Sequence, residues 1–501
     1  MDKIVVQKKN ECSLLLGCDN GIIQELNEYF SFFVPGYKYM PKYKSKMWDG
    51  KIKIFNALSH ELPSGLLHQL KIFSKERGYE LEYEDGEYGP PEVFNKINPR
   101  EIMDFIESLN LRSRGEPISI RSYQFDAVCS AIRERRSLLL SPTGSGKSLI
   151  IYVLMRWYME NHHDNVLVIV PTTSLVQQMF ADFSDYSSHD NSVNIEKDCH
   201  FIYSGQAKKG IKERIIISTW QSIYKLPAPW FSNFGVIFGD ECHGFKSKSL
   251  TSIMNKSRNT AYRFGTTGTL DGTETHKLVL EGLFGKVIKV TTTKKLQDDL
   301  TLAPLEIYML KLKYDEDDCF QNVGNTYAQE INWIVLNEKR NKFIRNLSLG
   351  MDGNTLVLFQ FVEKHGKVLY DLICDKKEDK RKVFFVSGAT EAADREAIRK
   401  IVESQKDAII VASLGTFSTG INIRNLHNII FASPSKSQIR VLQSVGRGLR
   451  KSDDGRITKL YDVIDDLRHK KKMNYALLHG EERLKIYKKE QFNFKKYEVK
   501  L

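Results

Sequence analysis

Between residues 137 and 290, short β-branched apolar runs at 137–140, 166–170, 215–218 and 236–238 are separated by stretches with helical spacing of apolar positions. Continuous apolar runs of that length mark strands buried on both faces, and their alternation with helices predicts a parallel sheet covered by helices. The same rhythm returns at 355–359, 382–386, 408–412 and 428–432. The expected fold is α/β, with two parallel-sheet domains in tandem at 101–300 and 331–467. A polar linker at 301–330, holding the acidic cluster Asp315-Glu-Asp-Asp318, is expected to join them. Residues 1–100 mix short alternating segments with two candidate helices, 22–33 and 65–76, and end in the breaker-rich stretch 84–91, which predicts a small N-terminal α+β domain. Residues 468–501 are expected to form a basic, helical C-terminal extension. The longest apolar runs fall far short of the roughly 18 to 20 residues of a membrane span, so no membrane partner is expected.

Charge sharpens this picture once it is placed. The 501 residues hold 74 Lys and Arg against 62 Asp and Glu, a formal +12. Such an excess suits a polyanionic partner or an anionic surface, or serves solubility alone. Residues 468–501 carry 11 Lys or Arg against 4 Glu, and residues 37–53 carry six Lys against one Asp, so the two flanks account for the whole excess. In the first flank Tyr37, Tyr39, Tyr43 and Trp48 lie between the lysines. Lysines engage phosphates and aromatics stack on unpaired bases, which makes Lys42, Lys44, Lys46 and Trp48 candidate nucleic-acid contacts. The alternative is that Trp48 and some tyrosines are domain core and only the lysines face solvent. The tail is either a second grip or a solvated helix. Seven scattered cysteines without a C-x-x-C pair read as buried thiols in a reducing compartment, and the N-terminus lacks the order of a signal peptide, so a cytoplasmic location is expected.

The chemistry concentrates in three segments. Ser141-Pro-Thr-Gly-Ser-Gly-Lys-Ser148 follows one predicted buried strand and opens a helical pattern. A strand, a Gly-rich turn and a helix N-terminus suit a triphosphate: backbone N–H groups converge on its oxygens, Lys147 neutralises the β- and γ-phosphates, and Ser148 reaches Mg²⁺. Thr143, Gly144, Ser145 and Gly146 complete that candidate ATP site. Asp240-Glu-Cys-His243 ends another apolar run, at the strand end where parallel sheets bind ligands. Asp240 suits Mg²⁺ and Glu241 the polarisation of an attacking water. Gln443-Ser-Val-Gly-Arg-Gly-Leu-Arg450 offers Arg447 and Arg450 to a transferring phosphate, or is simply a basic helix face.

In order along the chain these segments resemble the motifs of superfamily 2 helicases, over about residues 118 to 465. Arg121-Ser-Tyr-Gln124 is similar to the adenine-reading Q motif, which implies nucleotide contacts from Tyr123 and Gln124. The phosphate loop resembles motif I, and Asp240 to His243 a DExH motif II. Segments 170–176 and 217–221 are similar to motifs Ia and Ib, which implies nucleic-acid backbone contacts from Pro171, Thr172, Thr219, Trp220 and Gln221. Residues 265–270 resemble motif III, 356–361 motif IV, 411–422 motif V with Gly420 at the nucleotide, and 443–450 motif VI, where Gln443, Arg447 and Arg450 join Lys147, Asp240 and Glu241 as catalytic residues. Two departures stand out: Ser141 opens the phosphate loop in place of the usual Ala or Gly, and Cys242 separates Glu241 from His243.

The flanks resemble the UvsW branch of phage recombination helicases, through residues 37–52, the helix start at 65–70, Asn474-Tyr-Ala-Leu-Leu-His-Gly480, Arg483 and Phe492-Asn-Phe494. The resemblance implies two RecA-like motor domains using ATP and Mg²⁺, working as a monomer in the infected cell. It also implies 3′-to-5′ unwinding and branch migration of forked DNA, Holliday junctions and R-loops, with their RNA–DNA hybrids. An RNA helicase or a duplex translocase would share the motor motifs, because these motors grip the sugar-phosphate backbone. A catalytically dead annealing protein would not keep Lys147, Asp240, Glu241, Arg447 and Arg450 together.

Overall fold

The computed structural model describes residues 3–84, 97–190, 192–203, 210–270, 274–299, 304–377, 381–416, 425–433, 457–470 and 472–501. The chain divides into two compact units, the first containing residues 1–141 and 146–290 and the second 142–145 and 291–501. The expected breaker stretch at 84–91 falls, beyond its first residue, outside the described residues.

In the first unit, β1 (Lys3–Lys8), β2 (Ser13–Gly17), β5 (Glu61–Pro63) and β6 (Glu80–Tyr83) form a small sheet in the order β5-β2-β1-β6. The helices Asn20–Tyr29 and Leu67–Arg77 cover it, and their apolar faces meet the strands through Leu14, Leu16, Leu26, Leu70 and Phe73. The expected helix 22–33 stops short of this range. Phe30 turns into the core, and β3 (Ser31–Phe33) pairs antiparallel with β4 (Lys51–Lys53), so residues 34–50 leave and return as one excursion. The helix expected at 65–76 begins as a 3₁₀ turn, Ser64–Leu66.

This domain is seated on the helix Glu274–Phe284 of the motor domain. A Cβ at Gly65 would lie 2.1 Å from the Glu281 carbonyl oxygen, so only glycine permits that approach. Gln69 donates to the Glu281 carboxylate at 3.2 Å, Glu11 pairs with Arg136, and Arg263 donates to the Cys12 sulfur at 3.2 Å. Contacts of backbone on backbone, with charged side chains hydrogen-bonded across the seam, make a fixed seat rather than a tether.

After a short hairpin of β7 (Arg112–Ser113) and β8 (Glu116–Pro117) comes the first motor sheet. It comprises β9 (Arg136–Leu140), β10 (Asn165–Val170), β11 (Cys199–Ile202), β12 (Ile215–Thr219), β13 (Phe234–Gly239), β14 (Tyr262–Thr267) and β15 (Val287–Lys289). Among the described residues their order is β11-β12-β10-β13-β14-β9-β15, and every pair is parallel. The central strands are buried along nearly their whole length, as the continuous apolar runs predict.

The second unit repeats the plan with β16 (Leu305–Lys313), β17 (Thr355–Phe359), β18 (Val383–Val386), β19 (Ile409–Ser413), β20 (Asn428–Phe431), β21 (Thr458–Asp466) and β22 (Asn493–Lys500). Their order is β18-β19-β17-β20-β21-β16-β22. Two expectations change here. The stretch 301–330, expected as a linker, contains β16, whose alternating residues bury one face while the strand pairs with both β21 and β22. The C-terminal extension carries the expected helix, Tyr475–Lys489, and also the edge strand β22.

That extension is locked to its sheet by buried charge. The Arg483 guanidinium, 1% exposed, forks onto Asp462 at 2.7 Å, and the Tyr487 hydroxyl donates to the same carboxylate at 3.0 Å. Glu330 accepts the backbone N–H groups of Tyr475 and Ala476 at 2.9 and 2.7 Å, satisfying the helix start. Arg483 is therefore unavailable to any polyanion, whereas Lys485, Lys488 and Lys489 stay exposed.

Candidate nucleotide and nucleic-acid sites

Apart from Arg121–Gln124, which opens the helix Ser122–Glu134 before β9, the candidate motifs of the first motor domain fall at the carboxyl ends of strands, because β9, β10, β12, β13 and β14 run parallel and their following loops gather on one edge. The phosphate loop follows β9. Ser141 is fully buried, and its N–H donates to the Thr267 carbonyl at 2.9 Å, which extends the β9–β14 ladder into the loop. Gly146 (φ +82°) precedes the helix Lys147–Asn161, and a Cβ on it would sit 2.3 Å from Nε2 of Gln124. The left-handed turn and the close approach both require glycine there.

Gln124 forms part of the loop's wall. Its Oε1 accepts the Arg121 N–H at 2.9 Å, capping its own helix, while its amide nitrogen abuts the loop. Tyr123 is buried, with its hydroxyl accepting from Arg121 at 3.0 Å.

Lys147 Nζ lies 3.4 Å from Glu241 Oε1, so the loop lysine and the carboxylate after β13 face one another. Asp240 is almost fully buried and accepts from the Thr266 hydroxyl at 2.7 Å. Burial first, and the neighbouring Glu241 charge second, hold the Asp240 carboxyl above the usual carboxylate range, with Lys147 opposing. Glu241 takes left-handed backbone angles (φ +47°, ψ +45°), a strained conformation for a non-glycine residue that turns its carboxylate back toward the loop lysine. His243 Nδ1 meets the Thr267 hydroxyl at 3.2 Å, and His276 Nε2 meets the His243 carbonyl at 3.0 Å. Cys242 lies fully buried in the motor core, packed so close to Gly265 that a Cβ there would approach its sulfur to 3.1 Å. Burial pushes its thiol well up.

Three participants have weaker sequence signals. Thr266 falls inside the motif III segment and His276 shortly after it. Tyr186 has none: it lies 38 residues beyond Ser148, yet its hydroxyl sits 2.9 Å from Ser148 Oγ. Tyr186→Phe is expected to weaken Mg²⁺-dependent nucleotide binding severalfold while leaving Mg²⁺-free binding unchanged, as measured with a fluorescent nucleotide; equal effects in both would remove the link through Ser148.

The backbone-contact candidates form a second group on adjacent strands. Thr172 caps the helix Thr173–Tyr186, and Gln221 donates to the Pro171 carbonyl at 3.2 Å, tying the loops after β10 and β12 together. Thr219 is buried with its hydroxyl on Ser222 at 2.9 Å, and the Trp220 ring packs on the motor core. In the N-terminal domain Lys42, Lys44 and Lys46 are exposed, while Trp48 is half-buried and donates its indole N–H to the Lys51 carbonyl at 2.8 Å. Gly420, Gln443, Arg447 and Arg450 lie outside the described residues.

Two parallel-sheet motor domains, one with a strand-loop-helix phosphate site facing an Asp-Glu pair, define a superfamily 2 ATP-dependent helicase. Residues 3–84 match the family described as DNA helicase UvsW, N-terminal; residues 117–272 match type III restriction enzyme, res subunit; residues 338–452 match the helicase conserved C-terminal domain. The ATP-dependent DNA helicase uvsW of Enterobacteria phage T4 is 36% identical over 500 residues, covering 96% of each chain. The crystal structure of T4 UvsW aligns over 99% of both chains with a TM-score of 0.52 and 33% identity. The DNA 3′-5′ translocase XPB2 of Sulfurisphaera tokodaii is 23% identical over 85% of this chain and 93% of its own. The chain belongs to the UvsW family of helicases.

Proposed function

We propose that this helicase unwinds and branch-migrates forked DNA, with Holliday junctions and R-loops as related substrates, moving 3′ to 5′ as a monomer in the cytoplasm of an infected cell. The observation that carries this reading is the basic, aromatic excursion 34–50, held on a domain seated directly on the ATP-binding motor domain. A grip fixed to one motor domain keeps its place on a junction while the motor steps. The name of the archaeal relative supports the polarity.

For the chemistry, Lys147 would neutralise the β- and γ-phosphates and Glu241 would orient the attacking water. Ser148 and Asp240 would hold Mg²⁺: a buried carboxylate crowded by a second one is a hard-oxygen donor set that a divalent cation suits. The ion would supply charge neutralisation at the transferring phosphate. Gln443, Arg447 and Arg450 would complete the stabilisation of that charge, with Gly420 beside the nucleotide. Arg450→Ala is expected to lower kcat more than it weakens ATP binding, since its charge is used mainly in the transition state; equal losses would remove this role.

The proposed substrate is tested by comparing ATPase stimulation by forked DNA, plain duplex, single strand and RNA. Forks should stimulate most; strongest stimulation by RNA alone would overturn the DNA reading.

A further inference from the structure

The excursion between β3 and β4 contains two sets of large side chains that the structure separates. Tyr37 stacks on Phe33 at 4.6 Å and meets the edge of Tyr43 at 4.7 Å. A Cβ at Gly50 would fall 2.3 Å from the Tyr37 ring, so this ring packs directly against the backbone where the chain returns to β4. Trp48 is tied to Lys51 through its indole N–H, and Val34 and Gly50 close the base of the excursion with a backbone bond of 2.9 Å. These rings hold the excursion in shape. Tyr39 and Met47 stand apart from that scaffold, 82% and 77% exposed.

The surroundings of the two exposed side chains narrow what can cover them. Met47 lines an open groove of about 970 Å³ with Tyr43, Trp48, Asp49 and five lysines, Lys38, Lys44, Lys46, Lys51 and Lys53, and Tyr39 follows the groove-lining Lys38 in the chain. A basic rim of this kind repels cationic partners and admits a polyanion. A polyanion that also offers flat apolar faces is a nucleic-acid strand with unpaired bases, since a duplex keeps its base faces stacked inside. Met adds a soft, adaptable contact beside an aromatic ring.

Resting on the branched-DNA reading, we propose that Tyr39 and Met47 form a stacking site for unpaired bases on the single-stranded side of a junction, with the lysines around them holding its phosphates. Tyr37, outside the groove's lining, then acts on DNA only by supporting the excursion, while Tyr43 and Trp48 wall the groove. Trp48, a contact candidate from its sequence setting, is half-buried in the wall of that groove beside Met47.

The test uses the full chain without nucleotide and measures binding anisotropy with three probes: a single-stranded oligonucleotide, an abasic strand of equal length, and a blunt duplex. Tyr39→Ala combined with Met47→Ala should weaken binding of the base-bearing strand about 10-fold, leave the abasic strand and duplex within about twofold, and leave the salt slope unchanged. Tyr39→Trp should retain wild-type binding of the base-bearing strand. Equal loss on all three probes, or loss on none, would overturn the stacking site. Lys42→Gln, Lys44→Gln and Lys46→Gln together should weaken all three probes and reduce the magnitude of the salt slope by about 2. If the lysine variant instead binds every probe and a forked DNA like wild type, the grip reading fails, and the result of the Tyr39 and Met47 variant is read separately from it.

Discussion

Replacing Lys147 with Ala, or Glu241 with Gln, is expected to reduce steady-state ATP turnover on the order of 10³-fold, with DNA binding largely intact. Lys147 stands at the start of the helix Lys147–Asn161, where the helix dipole adds positive potential, and faces Glu241 at 3.4 Å. Removing the ammonium removes a charge aimed at the oxygens that gain negative charge in transfer. Glu241→Gln keeps the shape of the side chain but removes the carboxylate that can orient and polarise water. Neither residue belongs to the N-terminal excursion or to the loops after β10 and β12, which is why DNA affinity should survive. Stopped turnover with retained binding, read by a coupled ATPase assay and by anisotropy on the same preparation, supports the site; turnover near wild type in either variant refutes it.

Asp465→Ala is expected to destabilise the second unit by about 3–5 kcal/mol, because it strands a buried guanidinium. Arg340 is 0% exposed, places Nε 2.6 Å from Asp465 Oδ1 and Nη2 3.1 Å from Oδ2, and donates Nη2 to the Ala432 carbonyl at 2.7 Å. Tyr314 donates to the same carboxylate at 2.7 Å, so the aspartate joins β21 to the chain just after β16 and to the helix Glu338–Leu349. Burial and the Arg340 charge hold His365 beside it well below the usual imidazole range, so that the arginine has no cationic competitor. Denaturant unfolding followed in the second unit should show a lowered midpoint for Asp465→Ala and a smaller loss for Arg340→Met combined with Asp465→Leu, which leaves no unpaired charge. A double variant as unstable as the single one would mean that the ion pair is a net stabiliser. The exposed pair Lys342–Glu338, 3.3 Å apart, should matter little by comparison.

The sequence made the motor sheets legible because strands buried on both faces leave continuous apolar runs, and their following loops carry the chemistry. Lys147, Asp240 and Glu241 come together as their motifs imply. Elements buried on one face were harder to read. In β16, LEIYMLKLK alternates inside a polar neighbourhood, so its strand character is visible only once β21 and β22 are known to flank it. Arg483 reads as part of a grip or of a solvated helix because its partner Asp462 is 21 residues away on another element. Tyr186 reaches Ser148 through tertiary structure alone. In the basic excursion, which aromatics are scaffold and which face solvent depends on local packing around Gly50 that residue types do not encode.

If ATP hydrolysis by this chain drives strand movement at a DNA junction, movement must depend on turnover and not on binding alone. A three-way fork with labelled strands, incubated with the wild-type protein and either ATP or a non-hydrolysable analogue, separates the two. Strand displacement and branch movement are expected with ATP, and binding without movement with the analogue. Equal movement in the two reactions, or a fork that is bound but never moved with ATP, would contradict the coupling of hydrolysis to strand movement.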